Sequence, residues 1–177
     1  IDLISYIGSE YQVQVDVGEL NAKWQMLGPE LTIRDLTIPS QERLPFTLLI
    51  DNVHVNLDFW QSIISVSPQI ASVMFDGVQV TLDIDKFNNT PLPSAQVMPD
   101  QAADTDWIYR LLLEQLKHFS ISDASLQLLS VKHQYRPIYV KNLTWKNSQL
   151  RHQGQGKLHL DEAASEDEQL SLRLDIE

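Results

Sequence analysis

The 177 residues carry 24 acidic against 13 basic side chains, a formal net charge of −11, which denies the chain the Lys/Arg surface that counterion release from nucleic acid requires. The same charge opposes electrostatic adsorption to anionic lipid, so any lipid contact has to be hydrophobic. Cysteine is absent, which removes disulfides, zinc–thiolate sites and thiol nucleophiles, while 43% hydrophobic residues are enough for a buried core.

Leu3, Ile4 and Ile7 fall on one face of a short helix over 1–9 that stops at Gly8. Tyr11, Val13, Val15 and Val17 then alternate with polar residues as a half-buried strand. "NAKWQMLGPEL" reads as a second strand turning at Gly28-Pro29, followed by strands over 31–38 and 46–57. The alternation fails in "DFWQSIISVSPQ", where Phe59, Ile63 and Ile64 fit a helical turn over 58–66 closed before Pro68. Residues 70–84 return to strand, and 85–105, with three prolines, have linker composition. A helix over 107–116, capped by Asp104 or Thr105, lines up Ile108, Leu111, Leu112 and Leu116. Further strands are expected at 119–129, 135–146, 156–161 and 169–176. The organisation is therefore 1–84, a linker over 85–105, and 106–177, read as one continuous module. No run approaches the roughly 18 apolar residues of a membrane span. The opening on Ile1 and the stop inside "LSLRLDIE" point to a piece of a longer protein, with any targeting segment before residue 1.

One irregularity recurs. In Ile33-Arg-Asp-Leu36-Thr-Ile38 the apolar spacing slips from two to three, which would throw Ile33 and Leu36 onto opposite faces of a flat strand. The same slip occurs in Ile50-Asp-Asn-Val53-His-Val55, Phe75-Asp-Gly-Val78-Gln-Val80, Ile121-Ser-Asp-Ala124-Ser-Leu126 and Val140-Lys-Asn-Leu143-Thr-Trp145. Asp, Asn or Gly stands just before the phase change each time. A two-residue hairpin suits Asp76-Gly77 but fits Arg34-Asp35, Ser122-Asp123 and Lys141-Asn142 poorly. A bulge needs one permissive residue, keeps both apolar runs on one face and bends the strand. The fold class is accordingly α+β, mainly β: a curled antiparallel or mixed sheet with bulged strands, and a few short helices over one end or face. Such a sheet must cover its apolar face with helices, close into a barrel, or accept an apolar ligand.

Chemistry-bearing patterns are sparse. The histidines, among them His54 and His159 on polar strand faces, have no paired-ligand spacing, so no metal or cofactor is expected. Asp83 and Asp85 share a strand face in "TLDIDKF", but glycoside hydrolysis needs carboxylates facing each other across a bond. "DEAASEDEQ" reads as a solvated loop, and Arg110 and Lys117 as surface cations. Neither a GxSxG elbow nor a phosphate-binding loop occurs, and no catalytic residue is assigned.

The opening helix with "YQVQVDVGEL", then "KWQMLGPELTIRDLTI", "VNLDFWQSI", "LLLEQLKHFSISDASLQLL" and "LTWKNSQLRHQGQGKLHL", resembles in order the amino-terminal region of the AsmA-like family, in its YhdP branch. The most specific elements are Trp24 with Gly28-Pro29, Leu57-Asp58 with Trp60-Gln61-Ser62, and Trp145-Lys146-Asn147 with His152. The resemblance implies a large bacterial protein held in the inner membrane by a helix preceding residue 1 and extending across the periplasm. Such proteins are similar to the bridge-like, chorein-type lipid-transfer proteins, whose curled sheets carry phospholipid acyl chains in an apolar groove. On that basis the groove candidates are Leu36, Ile38, Val53, Val55, Leu57, Val78, Val80, Leu82, Ile84, Ala124, Leu126 and Leu128. Trp24 and Trp60 are candidates for a membrane–water boundary. The expected partners are phospholipid acyl chains, the inner membrane and possible envelope proteins. A non-enzymatic lipid-groove module is thus the favoured reading. A cell-envelope scaffold with a packed core and edge-strand binding is the alternative, and an enzyme acting on envelope carbohydrate comes third.

Overall fold

β-branched and aromatic residues alternating with polar ones build eight strands, and the computed structural model joins all eight into one sheet. It describes residues 14–25, 28–41, 45–66, 69–89, 116–148, 151–160 and 169–176. The expected helix over 1–9, most of the helix over 107–116 and most of the linker lie outside those residues. The strands are β1 (Asp16–Gln25), β2 (Gly28–Ile38), β3 (Phe46–Leu57), β4 (Ile70–Asp83), β5 (His118–Leu129), β6 (Ile138–Asn147), β7 (His152–His159) and β8 (Leu170–Ile176). Their order across the sheet is their order in the chain, and the sheet does not close into a barrel. Every neighbouring pair is antiparallel except β4–β5, which is parallel.

None of the five slips is a hairpin; each lies inside a continuous strand, β2 to β6. Asp35, Gly77 and Asp123 take positive φ of 52°, 67° and 48°, the left-handed conformation that adds a residue without ending the strand. Yet most of the slips produce no register shift. Ile33 pairs with Val53 and Leu36 with Ile50, so the extra residue of β2 meets the extra residue of β3. The cancellation repeats between β3 and β4, where Val53 pairs with Phe75 and Ile50 with Val78. Only against β7 is a slip uncompensated: the register shifts between Val140 and Asn142, leaving Lys141 as a true bulge.

The slips therefore stand at one height and form a crease across the strands: Gly18, Asp35, Asp51, Gly77, Asp123 and Lys141. Gly18 marks a sixth copy in β1, where Val17 pairs with Leu36 and Leu20 with Ile33. The crease packs as large against small. A β-carbon on Gly18 would lie 2.9 Å from Cβ of Asp35, and one on Gly77 would collide with the Asp51 side chain. The carboxylates of Asp35 and Asp51, on adjacent strands, thus each lean over a glycine and away from one another. Asp123 instead accepts from Lys141 Nζ at 3.0 Å. All four of these charged residues are exposed, so the crease is solvated.

Two short helices complete the described fold. α1 (Phe59–Ser65) follows β3 and is capped by Asp58, whose side chain accepts from the Gln61 amide at 2.9 Å. α2 (Ile84–Asn89) starts where the sequence predicts β4 to end. Asp83 accepts from the Lys86 amide at 2.9 Å, turning the chain one residue before Ile84. Asp85 accepts from Ser130 Oγ at 3.2 Å and from the Val131 amide at 2.6 Å, fastening α2 to the end of β5. Asp83 and Asp85 therefore act as a cap and a loop tether, and do not share a strand face.

Gly77→Val should lower unfolding free energy by at least about 2 kcal/mol, from the disfavoured φ and the collision with Asp51. Asp123→Gly, which relieves the same backbone cost, should change it by less than about 1 kcal/mol. Urea unfolding of both variants checks the pair.

Candidate functional site

Because the slips coincide, side chains on either side of the crease return to the same face, and the register assembles them into transverse rows. One row runs Leu20, Ile33, Val53, Phe75, Ile121, Leu143, Gly156 and Leu172. The next, towards the β1–β2 turn, runs Ala22, Leu31, Val55, Val73, Phe119, Trp145, Gly154 and Leu174. Beyond the crease lie Val17, Leu36, Ile50 and Val78, continued by Ala124, Val140, Leu158 and Leu170. A fourth row holds Ile38, Leu48, Val80, Leu126 and Ile138. The first three rows cross all eight strands and the fourth crosses β2 to β6, and none of the four contains Asp, Glu, Lys or Arg.

The opposite face is polar. Across it run Arg34, Asn52, Asp76, Ser122, Asn142, Lys157 and Ser171, with Ser122 Oγ donating to Asp76 at 2.7 Å. His54 and His159 belong here, His159 stacked on Tyr139 at 5.4 Å. Lys23 Nζ sits 2.9 Å from Glu30 Oε1, and its hydrogen bond holds that carboxyl below the ordinary range. Arg151 does the same for Asp175, reaching both carboxylate oxygens at 2.7 and 2.6 Å. A shallow polar hollow lined by Thr144, Lys146, Gln155 and Arg173 also opens towards this side. Among the described residues no cluster of His, Asp and Glu could hold a metal ion.

Most groove candidates fall on the apolar face, at different depths. Ile38, Val53 and Val78 are buried; Leu36, Val55 and Val80 are half-buried and pack on the core. Leu57, Leu82, Ala124, Leu126 and Leu128 are also half-buried. Ile84 is the first residue of α2, not a strand position. Choosing only positions beyond each slip misses the matching half-face, Ile33, Ile50, Phe75, Ile121 and Val140, which the same spacing marks equally well. It also misses the glycines of β7. A β-carbon on Gly154 would collide with the Trp145 ring, and that ring stacks on Phe119 at 6.1 Å.

That corner is sealed. Trp145 Nε1 donates to Asn147 Oδ1 at 2.6 Å, and Asn147 Nδ2 donates to the Leu116 carbonyl at 2.6 Å. His152 Nδ1 lies 2.8 Å from the same Asn147 oxygen. Leu116, 2% exposed, is thereby held against Phe119 and Trp145. Trp145, Asn147 and His152 thus form a structural knot that closes one corner of the face.

The two aromatic candidates, Trp24 and Trp60, are linked through Phe59 at another corner. Gly28, at φ 144°, brings β2 under the chain at Leu57 and Phe59, where a β-carbon would lie 2.8 Å from the Leu57 carbonyl. Trp24 consequently meets Phe59 edge-on at 5.1 Å, and Phe59 meets Trp60 at 5.2 Å. Trp24 shares the strand parity of Leu20 and Ala22 and so extends the apolar face.

The described residues thus define a mainly β module: one open, eight-stranded mixed sheet with a charge-free apolar face and a crease at one height across its strands. The chain belongs to the YhdP family: the family model described as YhdP protein matches residues 2–177. It is similar to the intermembrane phospholipid transporter YhdP of Escherichia coli (strain K12), with 25% identity over 175 residues. The match covers 99% of this chain and 13% of that relative's length. No helix among the described residues is long and apolar enough to cross a membrane.

Asn147→Ala should destabilise the fold by about 1–3 kcal/mol, because the buried Trp145 indole loses its acceptor. Gly154→Ala should do likewise by forcing the ring off its seat. Thermal melting of each variant tests the knot.

Proposed function

We propose that this chain is a section of a phospholipid conduit: the inner face of the curled sheet accepts acyl chains, and head groups remain in water. The reading is non-enzymatic. It places the chain as the membrane-proximal, amino-terminal module of a periplasm-spanning protein, anchored in the inner membrane through a segment preceding residue 1. Lipid would pass between inner and outer membrane along the face. The carrying observation is the set of apolar rows without an ionisable side chain, three crossing all eight strands and a fourth crossing β2 to β6.

The rows run perpendicular to the strands, so the trough axis does too. At about 4.8 Å per strand spacing, eight strands give a trough about 34 Å long. That is close to the roughly 30 Å hydrocarbon thickness of a bilayer, two acyl lengths end to end. Each methylene transferred from water gains about 0.8 kcal/mol without directional bonds. Such a surface grips tails of any length weakly and lets them slide. The relative's name, intermembrane phospholipid transporter, agrees with this use of the face. The burial of Ile38, Val53 and Val78 favours the scaffold alternative at those positions, so the half-buried Leu36, Val55, Leu82, Leu126 and Leu128 carry the lipid role together with Val80.

Purified protein should retain phospholipid in native mass spectrometry. Val80→Asp should reduce that lipid at least about tenfold while thermal melting stays within a few degrees of the unaltered chain. A sealed-core role for Val80 would instead cost several kcal/mol of stability. Absence of lipid from the unaltered chain, with a partner protein competing for an edge strand, would favour the scaffold.

A further inference from the structure

α1 is held in place by polar contacts and by the half-buried Phe59. Asp58 caps it, the Asp58 amide donates to the Gln69 carbonyl at 2.8 Å, and the Gln69 amide donates to Ser62 Oγ at 2.9 Å. None of its residues is buried, although so short a helix ordinarily depends on packing for its stability. What it displays is apolar: Trp60 is 71% exposed, Ile64 74% and Val66 91%. Trp24, 66% exposed on the edge strand β1, joins this surface through Phe59. Phe59 to Val66 include no charged side chain, in a chain whose net charge is −11.

The geometry points to this corner as a bilayer-inserting mouth of the trough, with the α1 side chains and Trp24 entering the interfacial region of a phospholipid membrane. Two observations select a bilayer over a protein partner. First, the patch is continuous with the apolar face, because Trp24 prolongs the line of Leu20 and Ala22. An acyl chain leaving the membrane here meets hydrocarbon at every step. Second, the exposed groups are tryptophan and aliphatic side chains, a pairing suited to the boundary between head groups and tails. Local charge depletion removes the main penalty to insertion, while the acidic remainder keeps the rest of the chain off anionic head groups. The proposal rests on the conduit reading but can fail separately from it.

The test is flotation of the chain with phosphatidylcholine vesicles, combined with quenching of its tryptophan emission by lipids brominated near the head group. The unaltered chain should float and be quenched. Trp24→Phe/Trp60→Phe should still float but lose most of the quenching. Ile63→Ser/Ile64→Ser/Val66→Ser should float at least about tenfold less, with unchanged melting and unchanged uptake of a short-chain phospholipid supplied as monomer. Undiminished flotation of that triple variant overturns the proposal. So does failure of the unaltered chain to float together with self-association that the triple variant abolishes. Intact flotation with no monomer uptake by any form refutes the trough and leaves the membrane contact standing.

Discussion

Side-chain alternation is the constraint on which this molecule depends. A strand that gains one residue inverts everything beyond it, moving apolar groups to water and polar groups inward. A curled sheet with a continuous apolar lining must therefore bend without reversing its faces. The chain does this by taking the extra residue at the same height in strand after strand. Neighbouring extras cancel in the register, and only the backbone at the crease bears the cost. Where the partner has no extra residue, at β7, the cancellation ends and a bulge appears at Lys141.

Function and stability divide along the same lines. Near the crease the inner face packs on itself, with Ile50, Val53 and Val78 buried in one cluster with Val73 and Phe119. One corner is closed by the Trp145–Asn147–His152 knot, where polar groups are mutually satisfied so that an indole can be sealed. The corner at Trp24 and α1 is the reverse, its apolar groups exposed and its backbone secured by capping. The sheet thus joins closed packing at one corner to exposed hydrocarbon at the other.

Much of the fold was legible in the sequence because its signal is local. Spacing of three in place of two, with Asp, Asn or Gly beside it, marked the interruptions in β2 to β6, and the alternation on either side set the apolar face. The copy at Val17-Gly18-Glu19-Leu20 was hidden, since Tyr11 to Val17 alternate cleanly and Gly18 reads as a strand end. β7 was foreshortened because glycine weakens a strand on propensity grounds; the Trp145 ring that fills the space over Gly154 lies nine residues away in the chain. Ile84 fits the strand pattern until Asp83 caps a helix. The meeting of Trp24 with Trp60 depends on Gly28 letting two connections pass closely, and no pattern along the chain reports that. Cancellation between neighbouring slips was equally invisible, being a property of pairs of strands.

The single parallel pairing has a consequence for how the chain reaches its native form. β1 to β4 and β5 to β8 are two antiparallel meanders, each assembled from neighbours in sequence with little loop-closure entropy to overcome. Joining them edge to edge pairs residues far apart in the chain, Asp76 and Ser122 being 46 positions from one another. Docking along β4 and β5 is then the pairing with the largest loop-closure cost in the sheet. Until it occurs each half presents an unpaired strand edge beside an oily surface, the interval in which a newly made chain most needs shelter from its neighbours.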